Sequence, residues 1–167
     1  PGEESIFLFP TYEYGDEIHF SRNGTSDRFK LDGWSYPEEK STWTDGKNAS
    51  LNIIADDTDS NLILTIRATP YLSKGALEKQ RVNISANDHP LGEWLFNKPG
   101  FQEKSIIIPH EVLNEGMQYI TFDLPDAISP QSLGLSEDSR VLALAVQSIV
   151  ISNSTESIQE EYKLGNP

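Results

Sequence analysis

From Leu62 to Thr69 successive side chains fall into two phases, with Leu62, Leu64, Ile66 and Ala68 in one and Ile63, Thr65 and Arg67 in the other. A period of two residues is that of an extended strand with one buried face. Val82, Ile84 and Ala86 repeat it. The pattern predicts strands near Ile6–Phe9, Glu17–Ser21, Leu51–Ala55, Leu62–Thr69, Arg81–Ala86, Glu93–Phe96, Lys104–Ile108, Gln118–Asp123 and Val141–Ser152. Between them stand Asn23-Gly24, Asp32-Gly33, Asp45-Gly46, Asn87-Asp88, Lys98-Pro99-Gly100 and Glu115-Gly116. These residues tolerate positive φ and suit tight turns. In the last strand Leu142, Leu144 and Val146 share one phase and Ile149 and Ile151 the other, which predicts a bulge or bend at Gln147-Ser148. Only Leu77–Arg81 and His110–Leu113 read as single helical turns. The expected fold is all-β, a two-sheet antiparallel β-sandwich of jelly-roll or galactose-binding-like form.

A length of 167 residues without cysteine bounds this picture. It suits one β-sandwich domain over residues 1–152, able to bury a core without disulfide or metal, followed by a frayed tail at 153–167 where the periodicity stops. A start at Pro1, with neither initiator Met nor signal-like apolar segment, reads as a piece of something longer. No apolar run is long enough for a membrane helix, so no direct membrane insertion is expected of this segment. The compartment stays open on composition alone.

Charge narrows the partners. Twenty-six acidic against thirteen basic residues give a formal net charge of −13. That field opposes phosphate contacts, so nucleic acid and anionic lipid are excluded as partners, whereas a neutral ligand escapes the objection.

Aromatic residues supply the candidate chemistry. Gly33-Trp34-Ser35-Tyr36-Pro37-Glu38 is followed closely by Trp43-Thr44-Asp45-Gly46, and Tyr71 lies beyond the middle strand. Flat rings bury large area and carry a polar handle, which suits a hydroxylated ligand of partly apolar surface. The competing account is that Trp34 and Trp43 plug the edge of the sandwich or cover its core beneath a long loop. In Asn87–Phe96 a turn at Asn87-Asp88 leads into a strand with Trp94 and Phe96 on one face, which reads as core. His89, beside Pro90, reads as a loop residue.

Other chemistries fail on spacing. Asp57, Asp59 and Asn61 begin like a calcium-binding loop, but Leu62 stands where glycine is needed and Ala68 where the bidentate acid belongs, so the segment reads as a polar hairpin loop. A calcium site drawn from distant loops, with Asp16, Glu17 and Asp138 as donors, is left open by spacing. Three scattered histidines exclude the usual zinc pairs. Gly134–Asp138 lacks the last glycine of a nucleophile elbow and precedes a strand. Glu38-Glu39, or Glu38 with Asp45, is the sole suggestion of an acid and base pair. Four sequons, at Asn23, Asn48, Asn83 and Asn153, matter only in a eukaryotic secreted protein. No cofactor, metal or catalytic residue is assigned.

The segment Asp123–Ile151 is the most distinctive. Two prolines and a glycine hold a loop, and an Asp138/Arg140 pair precedes the closing strand. Residues two apart on an extended segment point the same way, so the pair is expected to pin the Ser129–Gly134 loop over the sandwich end or to grip ligand hydroxyls. Phe20-Ser21, Asp32-Gly33-Trp34-Ser35, Pro37-Glu38, Trp43-Thr44, Pro70-Tyr71, Leu124-Pro125, Ser129-Pro130 and Leu133-Gly134, with Asp138 and Arg140, occur in an order spanning most of the chain. That order resembles the bacterial β-sandwich domains appended to membrane-bound phosphoglycerol transferases and glycosyltransferases of envelope glycans. The chain departs from them at Pro70–Gly75, where such relatives often carry a longer glycine-rich stretch. The resemblance implies an accessory role on the extracytoplasmic face of a bacterial envelope, with a carbohydrate or the parent enzyme's other domains as partner. The expected function is non-catalytic carbohydrate binding through Trp34, Tyr36, Trp43, Tyr71, Asp138 and Arg140. The alternative is a structural or interaction module with no glycan ligand.

Overall fold

The structure is a computed structural model and describes residues 11–154. The predicted strand Ile6–Phe9 and the tail from residue 155 lie outside the described residues. Within them run ten strands: β1 (Glu17–His19), β2 (Trp34–Pro37), β3 (Thr42–Thr44), β4 (Asn48–Ile54), β5 (Leu62–Pro70), β6 (Gln80–Ala86), β7 (His89–Phe96), β8 (Gln102–Ile108), β9 (Met117–Asp123) and β10 (Leu144–Asn153). One sheet has the order β2-β3-β10-β5-β8, with β1 also on β10, and the other has the order β4-β9-β6-β7. Every strand pair is antiparallel. The fold is therefore the all-β, two-sheet antiparallel sandwich that the alternation predicts.

Alternation places the core. Buried and half-buried residues alternate through all nine positions of β5. Leu62, Leu64, Ile66 and Ala68 meet Val82, Ile84, Trp94, Phe96, Ile120 and Phe122 in one buried cluster. The Trp94 ring stacks on Phe122 at 6.0 Å, and its Nε1 donates to the Ser105 carbonyl at 2.9 Å, so the polar handle is satisfied as burial requires. Asn87 and Asp88 both have positive φ, 51° and 67°, which is the geometry of the two-residue turn joining β6 to β7. The register of β10 on β5 shifts between Val146 and Ser148, where the change of phase foretold a bulge. That shift has a use. On its other side β10 pairs first with β3, at Ala145 and Val146, and then with β1, at Ser148 to Val150, so the bulge falls where one short partner gives way to the next.

Three local expectations change, besides that of His89, which opens β7 instead of lying in the loop. Trp34–Pro37 and Thr42–Thr44 are strands, not loop. They escaped the pattern because β3 turns two threonines inward: Thr42 Oγ1 donates to the Phe20 carbonyl at 2.7 Å, and Thr44 Oγ1 accepts from Leu144 N at 3.1 Å. Backbone partners make those buried hydroxyls tolerable. Leu77–Arg81 is not a helical turn, since Leu77 bridges to Ser73 and β6 begins at Gln80. The turn at His110–Val112 is a short 3-10 helix, and Ser26–Arg28 is an unanticipated second one. Finally, Asp56–Asn61 is no hairpin, because β4 and β5 belong to different sheets. It is a crossover, with Asp57 Oδ1 accepting from Gly116 N at 2.8 Å.

Candidate functional site

A bulge at the sheet edge exposes one aromatic ring. Trp34 pairs with Thr44 and Pro37 with Thr42, so two residues, Ser35 and Tyr36, stand opposite a single one on β3. Tyr36 is 68% exposed. The guanidinium carbon of Arg140 lies 5.6 Å from the centre of its ring, within cation–π range.

Arg140 ties this edge to the segment that leads into β10. Its Nε and Nη2 donate to the two Asp138 carboxylate oxygens at 3.1 and 2.9 Å, while Nη1 donates to Ser35 Oγ at 3.0 Å and Glu38 Oε2 at 3.4 Å. This is the planar fork of arginine meeting a carboxylate, with its remaining donor turned to a second strand. The side-chain hydrogen bonds from Arg140 hold the Asp138 carboxyl below the usual carboxylate value. The reciprocal bonds from Asp138, opposed by burial and helped by Glu38, raise the arginine further above neutral pH. The expected pairing of Asp138 with Arg140 is present, but its target differs. Arg140 fastens β2, whereas the Ser129–Gly134 loop closes through Ser129 Oγ with Ser132 Oγ at 2.7 Å and through Gln131 N donating to the Asp138 carbonyl at 2.9 Å.

Trp43 lies between the two inward threonines and therefore faces away from the core. Its half-buried ring meets Tyr71 edge to face, with centroids 6.2 Å apart. The Tyr71 hydroxyl is buried without a hydrogen-bond partner. Desolvation first, and the Asp138 charge second, push its pKa above that of an ordinary tyrosine. Five of the six expected residues, Tyr36, Trp43, Tyr71, Asp138 and Arg140, thus border one corner of the six-stranded sheet. Trp34 is the exception. Its ring packs against buried Phe20 at 5.2 Å, and its Nε1 donates to the Ser50 carbonyl of β4 at 2.9 Å, so it closes the sandwich edge from within. Ser35 and Glu38 join the corner unpredicted, because their role depends on where Arg140 reaches. The suggested acid and base pair has other bonds, Glu38 to Arg140 and Asp45 Oδ1 to Val141 N at 2.9 Å.

The opposite sheet carries a surface that sequence reasoning missed. An open groove of about 680 Å³ crosses its outer face. Antiparallel register sets Asn48, Asp123, Asn83 and Glu93 side by side on β4, β9, β6 and β7. Thr121 and Ser85 form part of the next row. The available signal was the polar phase of each strand, but aligning those phases needs the register. Among the described residues no group of three or more metal-ligating side chains converges, and Asp16, Glu17 and Asp138 do not form one. No helix among them is long and apolar enough to cross a membrane.

No protein-family model matches the chain, and no curated protein matches it. Solved structures share its fold. A family GH115 4-O-methyl-α-glucuronidase with specificity for decorated arabinogalactans matches 90% of this chain with 19% of its own, at 10% identity and a TM-score of 0.51. The C-terminal CBM6 of a laminarinase from Zobellia galactanivorans matches 82% of this chain with 98% of its own, at 11% identity and a TM-score of 0.49. A carbohydrate-binding module of family CBM36, in complex with calcium and xylotriose, matches 82% with 99%, at 10% identity and a TM-score of 0.48. These are likenesses of fold alone: the family GH115 enzyme contains a region that shares the chain's two-sheet β-sandwich architecture.

Proposed function

We propose that this sandwich is a non-catalytic carbohydrate-binding module that positions a glycan for a larger enzyme of envelope-glycan assembly. One observation carries the reading: Tyr36 stands exposed on a fixed Arg140 at the same corner as the half-buried Trp43–Tyr71 pair, so aromatic rings gather at one edge of the sheet. Stacking of sugar C–H surfaces on such rings needs no movement of the backbone, because the bulge and the Asp138–Arg140–Glu38 bonds already hold the edge in place. Binding of this kind is weak for a single site and rises when the module is tethered beside its enzyme. The likeness to the family GH115 enzyme is of fold and agrees with this reading. The order of turn and aromatic residues that resembles transferase-associated domains supports the choice of parent.

A glycan array probed with the folded chain, followed by titration of Trp43→Ala, tests it. Loss of one stacking ring is expected to weaken binding by about tenfold, roughly 1.4 kcal/mol. Failure to bind any saccharide, or equal binding by Trp43→Ala, sinks the proposal and leaves a structural module.

A further inference from the structure

The groove on the four-stranded sheet differs from the corner in one respect: five of its polar side chains have no hydrogen-bond partner among the described residues. Asn48, Asn83 and Asp123 are exposed on the lining, and Thr121 and Ser85 are half-buried. None of these five side chains makes a hydrogen bond to another described residue. Polar side chains on strands elsewhere in the sandwich do pair, as Thr65 does with Ser105 at 2.8 Å. Four strands at about 4.8 Å spacing make the row Asn48–Asp123–Asn83–Glu93 about 14 Å long, the scale of a short oligosaccharide. The bulge between Ile84 and Ser85 on the β6–β7 pair bends the sheet at that point and shapes the groove.

Composition of the lining selects the ligand. Amides and hydroxyls both donate and accept, as sugar hydroxyls do. Asp88, Glu93 and Asp123 contribute carboxylates, and neither lysine nor arginine lines the groove. A polyanion is therefore repelled at contact as well as by the field of the whole molecule. No aromatic ring is available for stacking, so a chain would lie edge-on with its hydroxyls toward the sheet.

We infer that the outer face of the β4-β9-β6-β7 sheet is a second glycan-binding surface, which takes a neutral or amine-bearing oligosaccharide through Asn48, Asn83, Ser85 and Thr121 and rejects uronate chains. It stands apart from the corner and does not depend on it. The side-chain amides of Asn48 and Asn83 are its built-in reporters. Uniformly 15N-labelled protein would be titrated with xylohexaose, cellohexaose, a glucosamine hexamer and a hexagalacturonate, following those amide signals together with the Trp43 indole. The inference expects the Asn48 and Asn83 amides to shift with at least one of the first three and to stay fixed with hexagalacturonate. Asn83→Leu should then raise the Kd of the groove by about fivefold, the loss of one or two neutral hydrogen bonds, with Tyr36→Ala leaving it unchanged. Amides that stay still with all four sugars, that move with hexagalacturonate, or that lose their response in Tyr36→Ala would each overturn it. Shifts at Trp43 alone would uphold the corner and reject the groove.

Discussion

At the corner of the six-stranded sheet Asp138, Arg140, Glu38 and Ser35 have satisfied one another, whereas across the four-stranded sheet Asn48, Asn83, Asp123, Ser85 and Thr121 have no partner in the described protein. Both surfaces are polar, but the first is a clamp that displays rings and the second is a row of open donors and acceptors. The difference shows that exposure of a polar side chain says little about its role until its hydrogen bonds are traced. At the corner ligand affinity must come from Tyr36 and Trp43, because the charges are already engaged. In the groove it must come from the polar groups themselves, and each contributes modestly since water competes for the same bonds.

The largest expected effect separates Trp34 from Tyr36 on the edge strand. Trp34→Ala removes a ring packed on Phe20 and a hydrogen bond to β4, and should destabilise the fold by about 3 kcal/mol in a denaturant titration. Tyr36→Ala, only two residues away, should cost less than about 1 kcal/mol. Similar losses from both would mean that the corner ring is structural.

Two asparagines sharpen the comparison on the other sheet. Asn87 Nδ2 donates to the Val112 carbonyl at 2.9 Å and to Gln118 Oε1 at 2.6 Å, while its Oδ1 accepts from Tyr119 N at 2.8 Å, all from a residue at positive φ. Asn87→Ala should cost about 2 kcal/mol, because buried partners are left unpaired and alanine resists that backbone conformation. Asn83→Ala leaves nothing unpaired and should fall within about 0.5 kcal/mol of the parent. Equal costs would show that the groove amides hold the sheet together.

The smallest effect is acid sensitivity confined to the corner. Arg140 lowers the pKa of Asp138, so the pairing contributes fully above the unfolded carboxylate value near about 4 and is lost as pH falls through the depressed folded value. Ring signals of Tyr36, followed by NMR on descending pH, should change only below about pH 4, and Asp138→Asn should abolish that change. A transition above this range would show that another group controls the edge.

How far the sequence speaks follows from the same geometry. Strands with one face buried, such as β5 and β6, announce themselves because each second residue must be apolar. The bulge in β10 was legible as a change of phase, and the Asn87-Asp88 turn as residues that accept positive φ. The short edge strands were not, since buried threonines and an indole bonded to Ser50 break the apolar code. Trp34 and Trp43 look alike in the sequence and face opposite ways. Their division rests on Thr42 and Thr44, whose hydroxyls are tolerable inside only because neighbouring backbone comes to meet them.

Composition and periodicity by themselves determined an acidic all-β sandwich, its turns, and the local Asp138–Arg140 pair, because each depends on residues close in sequence or on a simple repeat. Tertiary structure alone decided that Arg140 reaches β2 and that Asn48, Asn83, Glu93 and Asp123 share one row. Those neighbours come from strands that are far apart in the chain. Their alignment is fixed by how the core packs and the backbones pair, and a linear string of residues does not contain that register.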